Sequence, residues 1–382
     1  MKTRVEPGLD RLLSDDAARM LAGQRIGLVT SASSVTRNVV PTRDALLDAG
    51  VQLVALFGPE HGFSATVADA ELVPSGRDHR SGLPIYSLFG DVYKPTPEML
   101  ADIDTLVYDL QDVGVRFYTF TTTLAFLLEA CAEHHRPLIV LDRPNPVTGL
   151  MIEGPLMEPQ QQTFLGHGPL PLRYGLTLGE LAHFYNRELN IGAALQVVTI
   201  RGWNRAHWYD QTDLLWVPPS PGIPHFDTTV VYPGTCLIEG TNVTEGRGTP
   251  LPFEIIGAPW IDGEALAAEL NALRLDGVRF RAVQFTPSEW KYPHQLCQGV
   301  QVHVTAREAV RPVTMGLQLI RTLREMYPGQ FAWRAEHFDS LIGNTSTREQ
   351  LERGVKVETI TAAWEDEQAA FRARSRAYWL YD

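Results

Sequence analysis

Four short stretches of this chain concentrate the side chains that could do chemistry. They are Gly58-Pro59-Glu60-His61-Gly62, the run from Asp109 to Tyr118 that carries Asp112 and Arg116, Asp142-Arg143-Pro144-Asn145-Pro146, and the run from Glu239 to Gly248 that carries Asn242, Glu245 and Arg247. Paired carboxylates suit general acid/base work, in which one group stays protonated while its partner is ionised. Arginines suit an anionic group on a substrate. Glu60, Asp112, Glu239 and Glu245 are therefore the catalytic candidates. His61, Asp109, Arg116, Tyr118, Arg143, Asn242 and Arg247 are the binding candidates.

Each has a plainer reading. Glu60 could cap a turn, although flanking glycines and a proline predict a fixed, unusual backbone there. Asp109 and Asp112 could cap the next helix or pair with Arg116. Arg143 could be structural, and Glu239 and Glu245 could be ordinary loop charges. Trp203-Asn204-Arg205-Ala206-His207-Trp208-Tyr209 reads either as a sugar platform or as a surface turn.

The elements that must position these residues alternate. Short apolar runs at Ile26–Thr30, Val51–Phe57, Thr105–Leu110, Leu138–Leu141 and Leu195–Ile200 read as buried strands. Thr42–Ala49, with Thr42 as its cap and Leu46 and Leu47 inward, reads as a helix, as do the segment opened by Thr96-Pro97-Glu98, Thr121–His134 and Leu178–Leu189. This pattern predicts an α/β fold: a Rossmann-like, mostly parallel sheet with helices on both faces. Thr229–Leu237 reads as a later strand, so that Glu239–Gly248 would open on the same sheet edge as the other stretches. In open α/β sheets, ligands bind beyond the carboxyl ends of the strands.

After about residue 250 the pattern changes. Ile261–Leu273 and Val313–Met326 read as helices, Val278–Phe285 and Val300–Thr305 as strands, and Thr359–Leu380 as one long amphipathic helix. The expected division is residues 1–248 as the Rossmann-like catalytic domain and 249–382 as a smaller C-terminal α+β domain, with the boundary in Gly246–Pro252.

Several classes are excluded or disfavoured. The chain has 382 residues and a formal net charge of −12. Its overall field does not draw nucleic acid or anionic membranes. Cys131, Cys236 and Cys297 form neither a disulfide framework nor a zinc knuckle. No G-x-G-x-x-G, Walker A, H-E-x-x-H or G-x-S-x-G occurs. No cofactor and no metal are expected, and the partner is a small molecule. No signal-peptide pattern opens the chain, so a cytoplasmic protein is expected, with a form trimmed of its export signal as the alternative. Oligomeric state is not legible.

The four stretches, together with Leu56-Phe57, Gly82–Leu88, Lys94–Met99, Trp216–Pro221 and Tyr232–Thr235, occur in the order found in one family. Across nearly its whole length the chain resembles the exo-acting β-N-acetylmuramidases, glycoside hydrolase family 171, formerly a domain of unknown function. The resemblance implies release of terminal N-acetylmuramic acid from the non-reducing end of peptidoglycan fragments such as MurNAc-GlcNAc. It implies a Rossmann-like domain paired with a smaller one, the cleft between them, and Glu60 as catalytic residue. An arginine, Arg247 in preference to Arg116 or Arg143, would meet the lactyl carboxylate. The chain departs from the family at Ser31-Ala32-Ser33-Ser34, where Asn-Gln-Thr-Gly is expected. It departs again at Ser64–Glu71, where a Gly-rich segment with Gly-Glu-Lys is expected. Both bear on the exact substrate rather than the reaction class. The competing readings are a metal-dependent hydrolase of phosphate or amide substrates, using Glu60, His61, Asp109 and Asp112, and a non-catalytic cell-wall sugar-binding protein.

Overall fold

A computed structural model describes residues 2–14, 20–65 and 71–382. Of the second departure from the family pattern, Thr66–Ala70 lie outside the described residues. The chain forms two compact units. One comprises Met1–Met151, Tyr174–Pro221 and Ala373–Asp382, the other Ile152–Arg173 and Gly222–Arg372. The boundary expected in Gly246–Pro252 thus falls inside the second unit, and neither unit is continuous in sequence. The family of contacts that binds Ile152–Arg173 to the later residues has no local signature from which it could be read.

In the first unit, strands β1 (Ile26–Thr30), β2 (Leu53–Gly58), β3 (Gly76–Arg77), β4 (Pro84–Ser87), β5 (Thr105–Asp109) and β6 (Leu138–Leu141) are completed by a later strand at Leu195–Val198. The sheet has the order β3-β4-β2-β1-β5-β6 and then Leu195–Val198. All pairings are parallel except β3 with β4. Helices α1 (Gly8–Ser14), α2 (Thr42–Asp48), α3 (Pro97–Leu100), α4 (Phe120–Glu133) and α5 (Leu178–Glu188) flank it.

Residues of one strand parity, including Ile26, Leu28, Val107 and Ile139, pack with Leu9 and Leu12 of α1 and Leu46 of α2. Tyr108, of the opposite parity, donates its hydroxyl to the Phe120 carbonyl at the start of α4. Helices therefore cover both faces, as the wholly apolar strands require. Since β2 and β5 flank β1, the chain reverses its direction of winding at β1, and the loops after β1 and β5 diverge there.

The second unit holds a ribbon of β7 (Glu153–Leu156) with β8 (Pro171–Arg173). Leu195–Val198 is then β9, and a three-stranded antiparallel sheet of β10 (Ile255–Ala258), β12 (Cys297–Val304) and β11 (Val278–Phe285) follows. Its helices are α6 (Phe226–Thr235), α7 (Gly263–Ala272), α8 (Pro312–Met326), α9 (Ala335–Ile342), α10 (Ser346–Glu352) and α11 (Val357–Ala362), and α12 (Glu365–Ser375) follows them in sequence.

Three expectations are corrected. Thr229–Leu237 is not a strand but most of α6 and the start of the 3-10 turn after it. Its β-branched residues suit a strand locally. They are buried in a helix that crosses α8 at Gly234 and Gly316, where a Cβ on Gly234 would come within 1.7 Å of the Pro312 carbonyl oxygen. Thr359–Leu380 is not one helix. A turn after α11 drives Trp364 inward to 7% exposure before α12 begins. Thr42 does not cap α2, and Leu47 is exposed.

Candidate active site

At the end of β2 the backbone turns sharply. His61 adopts φ 68° and Gly62 φ 76°. A left-handed histidine is costly, and such strain persists only where surrounding contacts over-determine it. Here the Gly62 amide donates to the Pro59 carbonyl at 3.0 Å and the Ala65 amide to Gly62 at 3.0 Å. The turn presents Glu60 at 8% exposure and His61 at 3%.

Thr119 is the N-cap residue of α4, yet its side chain makes no capping bond. Its hydroxyl donates instead to Glu60 Oε2 at 2.7 Å. A threonine at this position would ordinarily hold a helix amide. The helix gives up that bond, and the carboxyl gains a fixed orientation.

Thr42, the first residue of α2, is likewise turned to a carboxylate. Its Oγ1 donates to Asp109 Oδ2 at 2.5 Å and stands 2.9 Å from the Ser34 carbonyl oxygen. Arg143 completes the arrangement, donating Nε to Asp109 Oδ1 at 2.5 Å and Nη2 to Oδ2 at 2.8 Å. The pair is bidentate and almost wholly buried, with Asp109 at 0% and the Arg143 side chain at 5% exposure. Arg143 also reaches the Val35 carbonyl at 2.9 Å. Asp109 and Arg143, expected as binding residues, are thus spent on each other and tie together the ends of β1, β5 and β6. With Asp109 so committed, the oxygen-rich set needed by a metal-dependent hydrolase loses a member.

Asp112 is 5% exposed. Its Oδ2 accepts from the Gly114 amide at 2.6 Å and from the Tyr174 hydroxyl. All these donors are neutral, so burial dominates and its pKa is pushed up to about 6. The Tyr118 hydroxyl is buried, which raises its pKa; a hydrogen bond with Ser220 opposes this, and Asp112 and Glu60 lie close enough to add to it. Glu60, Asp112 and Tyr118 therefore share one neighbourhood, with the His61 ring 6.4 Å from that of Tyr118. Arg116 is 0% exposed, and burial lowers its pKa to about 9. It faces the interior and presents no surface to a substrate.

The remaining candidates lie in the second unit. Glu239 accepts from Arg247 Nη2 at 2.5 Å, and its Oε2 is 3.1 Å from His337 Nε2. Glu245, wholly buried, stands 3.0 Å from Lys291 Nζ and 3.2 Å from Arg247 Nε. Two carboxylates are thus balanced by two cations. Lys291 also donates to the Val243 carbonyl at 2.8 Å. Asn242 is structural: its amide donates to Gln330 at 2.8 Å and accepts from the Ala332 backbone at 2.9 Å. Lys291 and His337 escaped the sequence reading because they lie 46 and 98 residues from their carboxylate partners. Only the folded chain joins them.

The aromatic stretch Trp203–Tyr209 is not a sugar platform. Trp203, Trp208 and Tyr209 are at most 6% exposed, and Arg205 is buried with Glu180 Oε1 at 2.5 Å. Among the described residues, no helix is long and apolar enough to cross a membrane.

A Rossmann-like sheet that lacks a dinucleotide fingerprint and holds buried carboxyls at its carboxyl edge marks an α/β protein built for acid–base chemistry. Its family follows from comparison. Residues 26–227 match the family model described as exo-beta-N-acetylmuramidase NamZ, N-terminal, and residues 230–381 match its C-terminal counterpart. The chain belongs to this family. It is 44% identical over all 382 residues to the peptidoglycan beta-N-acetylmuramidase NamZ of Bacillus subtilis, covering 92% of that protein. Two crystal structures of DUF1343 family proteins from Bacteroides fragilis superpose on it, each with 99% of both chains covered. One has a TM-score of 0.92 at 36% identity, the other 0.80 at 28%.

Proposed function

We propose that this protein is an exo-β-N-acetylmuramidase that releases N-acetylmuramic acid from the non-reducing end of peptidoglycan fragments, with Glu60 as the catalytic acid. Family membership supports the substrate class. The observation that carries the assignment to Glu60 is its setting: a strained turn, 8% exposure, and one carboxyl oxygen held by a hydroxyl diverted from its capping role. Glu60 protonates the glycosidic oxygen as the bond to the anomeric carbon breaks through an oxocarbenium-like transition state. Water completes the sugar, and its surplus proton restores the carboxyl.

The test is Glu60→Gln, which keeps shape and removes the titratable proton. General acid catalysis contributes about 10²–10⁴-fold, so kcat on MurNAc-GlcNAc should fall by that factor with KM little changed. Losses should be smaller on an aryl N-acetylmuramide, whose leaving group needs less help. A variant that cleaves the disaccharide at the wild-type rate removes Glu60 from the mechanism.

A further inference from the structure

The loop joining β11 to β12 holds its backbone against its own preferences. Trp290, Tyr292 and His294 adopt φ of 69°, 57° and 60°. Three bulky residues in the left-handed region within five positions is a concentration of strain that L-residues avoid. Specific contacts sustain it. Ser288 donates its amide to the Gly248 carbonyl at 2.9 Å, and Gly248 sits so close that a Cβ there would lie 2.7 Å from the Glu289 nitrogen. Lys291 and Tyr292 then turn inward. Lys291 reaches Glu245, and the Tyr292 hydroxyl donates to the Asn242 carbonyl at 2.7 Å.

Trp290, between them and the loop's start, stays 42% exposed. The Arg247 guanidinium lies 5.5 Å from its ring centroid. The strained loop sets Lys291 and Tyr292 inward but leaves this indole in water beside a guanidinium, an arrangement that suits a ligand. The surface continues. Trp260 Nε1 donates to the Tyr292 hydroxyl at 3.3 Å. Trp260 in turn lines a groove of about 440 Å3, together with Asp262, Glu264, Gln284 and Gln298. Gln284 and Gln298 are cross-strand partners on β11 and β12.

An exposed indole beside a guanidinium, followed by a groove of carboxylates and amides with a second indole, matches one ligand chemistry. Ring faces rich in C–H stack on aromatic planes, and hydroxyl and acetamido groups bond to amides and carboxylates. We propose that the second unit carries an extended glycan-binding track, with Trp290 stacking on one N-acetylhexosamine and the Trp260 groove taking the next. This rests on the reading that the substrate is an N-acetylated glycan, and it adds a site for sugars beyond the one released.

The probe is chitotetraose, which carries the N-acetylhexosamine rings but no N-acetylmuramic acid to release. Calorimetric titration of the wild-type protein should show binding. Trp290→Ala should weaken it roughly tenfold, the effect of losing one stacked aromatic face, while Trp290→Phe stays within about threefold. Gln284→Ala with Gln298→Ala should weaken chitotetraose and chitobiose alike, because the second ring already reaches the groove. Thermal midpoints confirm that each variant is folded. Turnover of an aryl N-acetylmuramide by the wild type tests the activity separately. Turnover without tetraose binding, or tetraose binding unchanged in Trp290→Ala, overturns the track while the activity stands. Tetraose binding without turnover keeps the track and overturns the activity.

Discussion

Two pairs of buried carboxyls, one pair in each unit, are held in opposite ways. In the first, Asp112 and Asp142 are surrounded by neutral donors: Tyr174 and a backbone amide for one, Tyr381, Thr177 and the Gly179 amide for the other. Burial then wins, and their pKa values rise to about 6 and about 7. In the second, Glu239 and Glu245 face Arg247 and Lys291. Neutral donors favour the ionised carboxyl only modestly, and here burial outweighs them, whereas a cation favours the charged form strongly. The first environment suits a group that trades protons. The second suits a fixed charge pattern that shapes a loop.

The largest effect follows from removing a cation in the second unit. Lys291→Ala leaves Glu245, wholly buried, with only Arg247 beside it, and strips a donor from the Val243 carbonyl. Breaking a buried pair on one side costs about 3–5 kcal/mol. Asp112→Asn in the first unit keeps an acceptor for Tyr174 and Gly114 and should cost about 1 kcal/mol, an ordinary hydrogen-bond rearrangement. Denaturant titration of both variants compares them. Equal losses would mean that the two environments do not differ as described.

How much of this was legible in the sequence depends on the distance over which each feature is determined. The Gly-Pro-Glu-His-Gly turn and the strand ends at Asp109 and Asp142 were readable, because short apolar runs flanked by glycine, proline and carboxylates specify a buried strand and its exit locally. The diversion of Thr119 and Thr42 to Glu60 and Asp109 was not. A threonine at a helix start reads as a cap until the fold brings a carboxyl to it. The β-branched Thr229-Val230-Val231 run misled because its helix is imposed by packing against α8, and tertiary contacts outweigh β propensity. Arg247 was legible and Lys291, which shares Glu245 with it, was not, since nothing near Lys291 announces a carboxylate on another loop.

A smaller effect distinguishes Asp142. Its folded pKa of about 7 lies above the ordinary 3.8, with burial the first cause. The native state therefore binds this proton more tightly than the unfolded chain. From about pH 4 to 7 the folded form retains a proton that the unfolded form has lost, so this group's contribution to stability falls as pH rises through that window. Asp142→Asn removes the titration and keeps an acceptor for Tyr381. The thermal midpoint of the variant should fall less steeply between pH 4 and 7 than that of the wild type. Parallel curves would show that Asp142 is ionised in the folded protein across that range.

The smallest effect belongs to His337, and its sign is reversed. Burial, with Arg334 and Lys291 nearby, lowers its pKa to about 4, although Glu239 lies 3.1 Å away. One carboxylate already claimed by Arg247 does not offset burial and the surrounding cations. His337 is thus neutral near pH 7 and donates Nε2–H to Glu239. The unfolded chain takes up this proton near pH 6.5 and the folded chain only near 4, so the contribution is complete above about 6.5 and is lost as pH falls toward 4. The side chain is 29% exposed, and solvent screening keeps the effect below that of Asp142. His337→Gln preserves a donor to Glu239 and abolishes the titration. Its thermal midpoint should drop less than the wild type's between pH 6.5 and 4, with the two converging on the acid side. A wild-type histidine that titrates by NMR above pH 6 would instead make Glu239 the dominant neighbour, and the second unit would then hold His337 as a third cation.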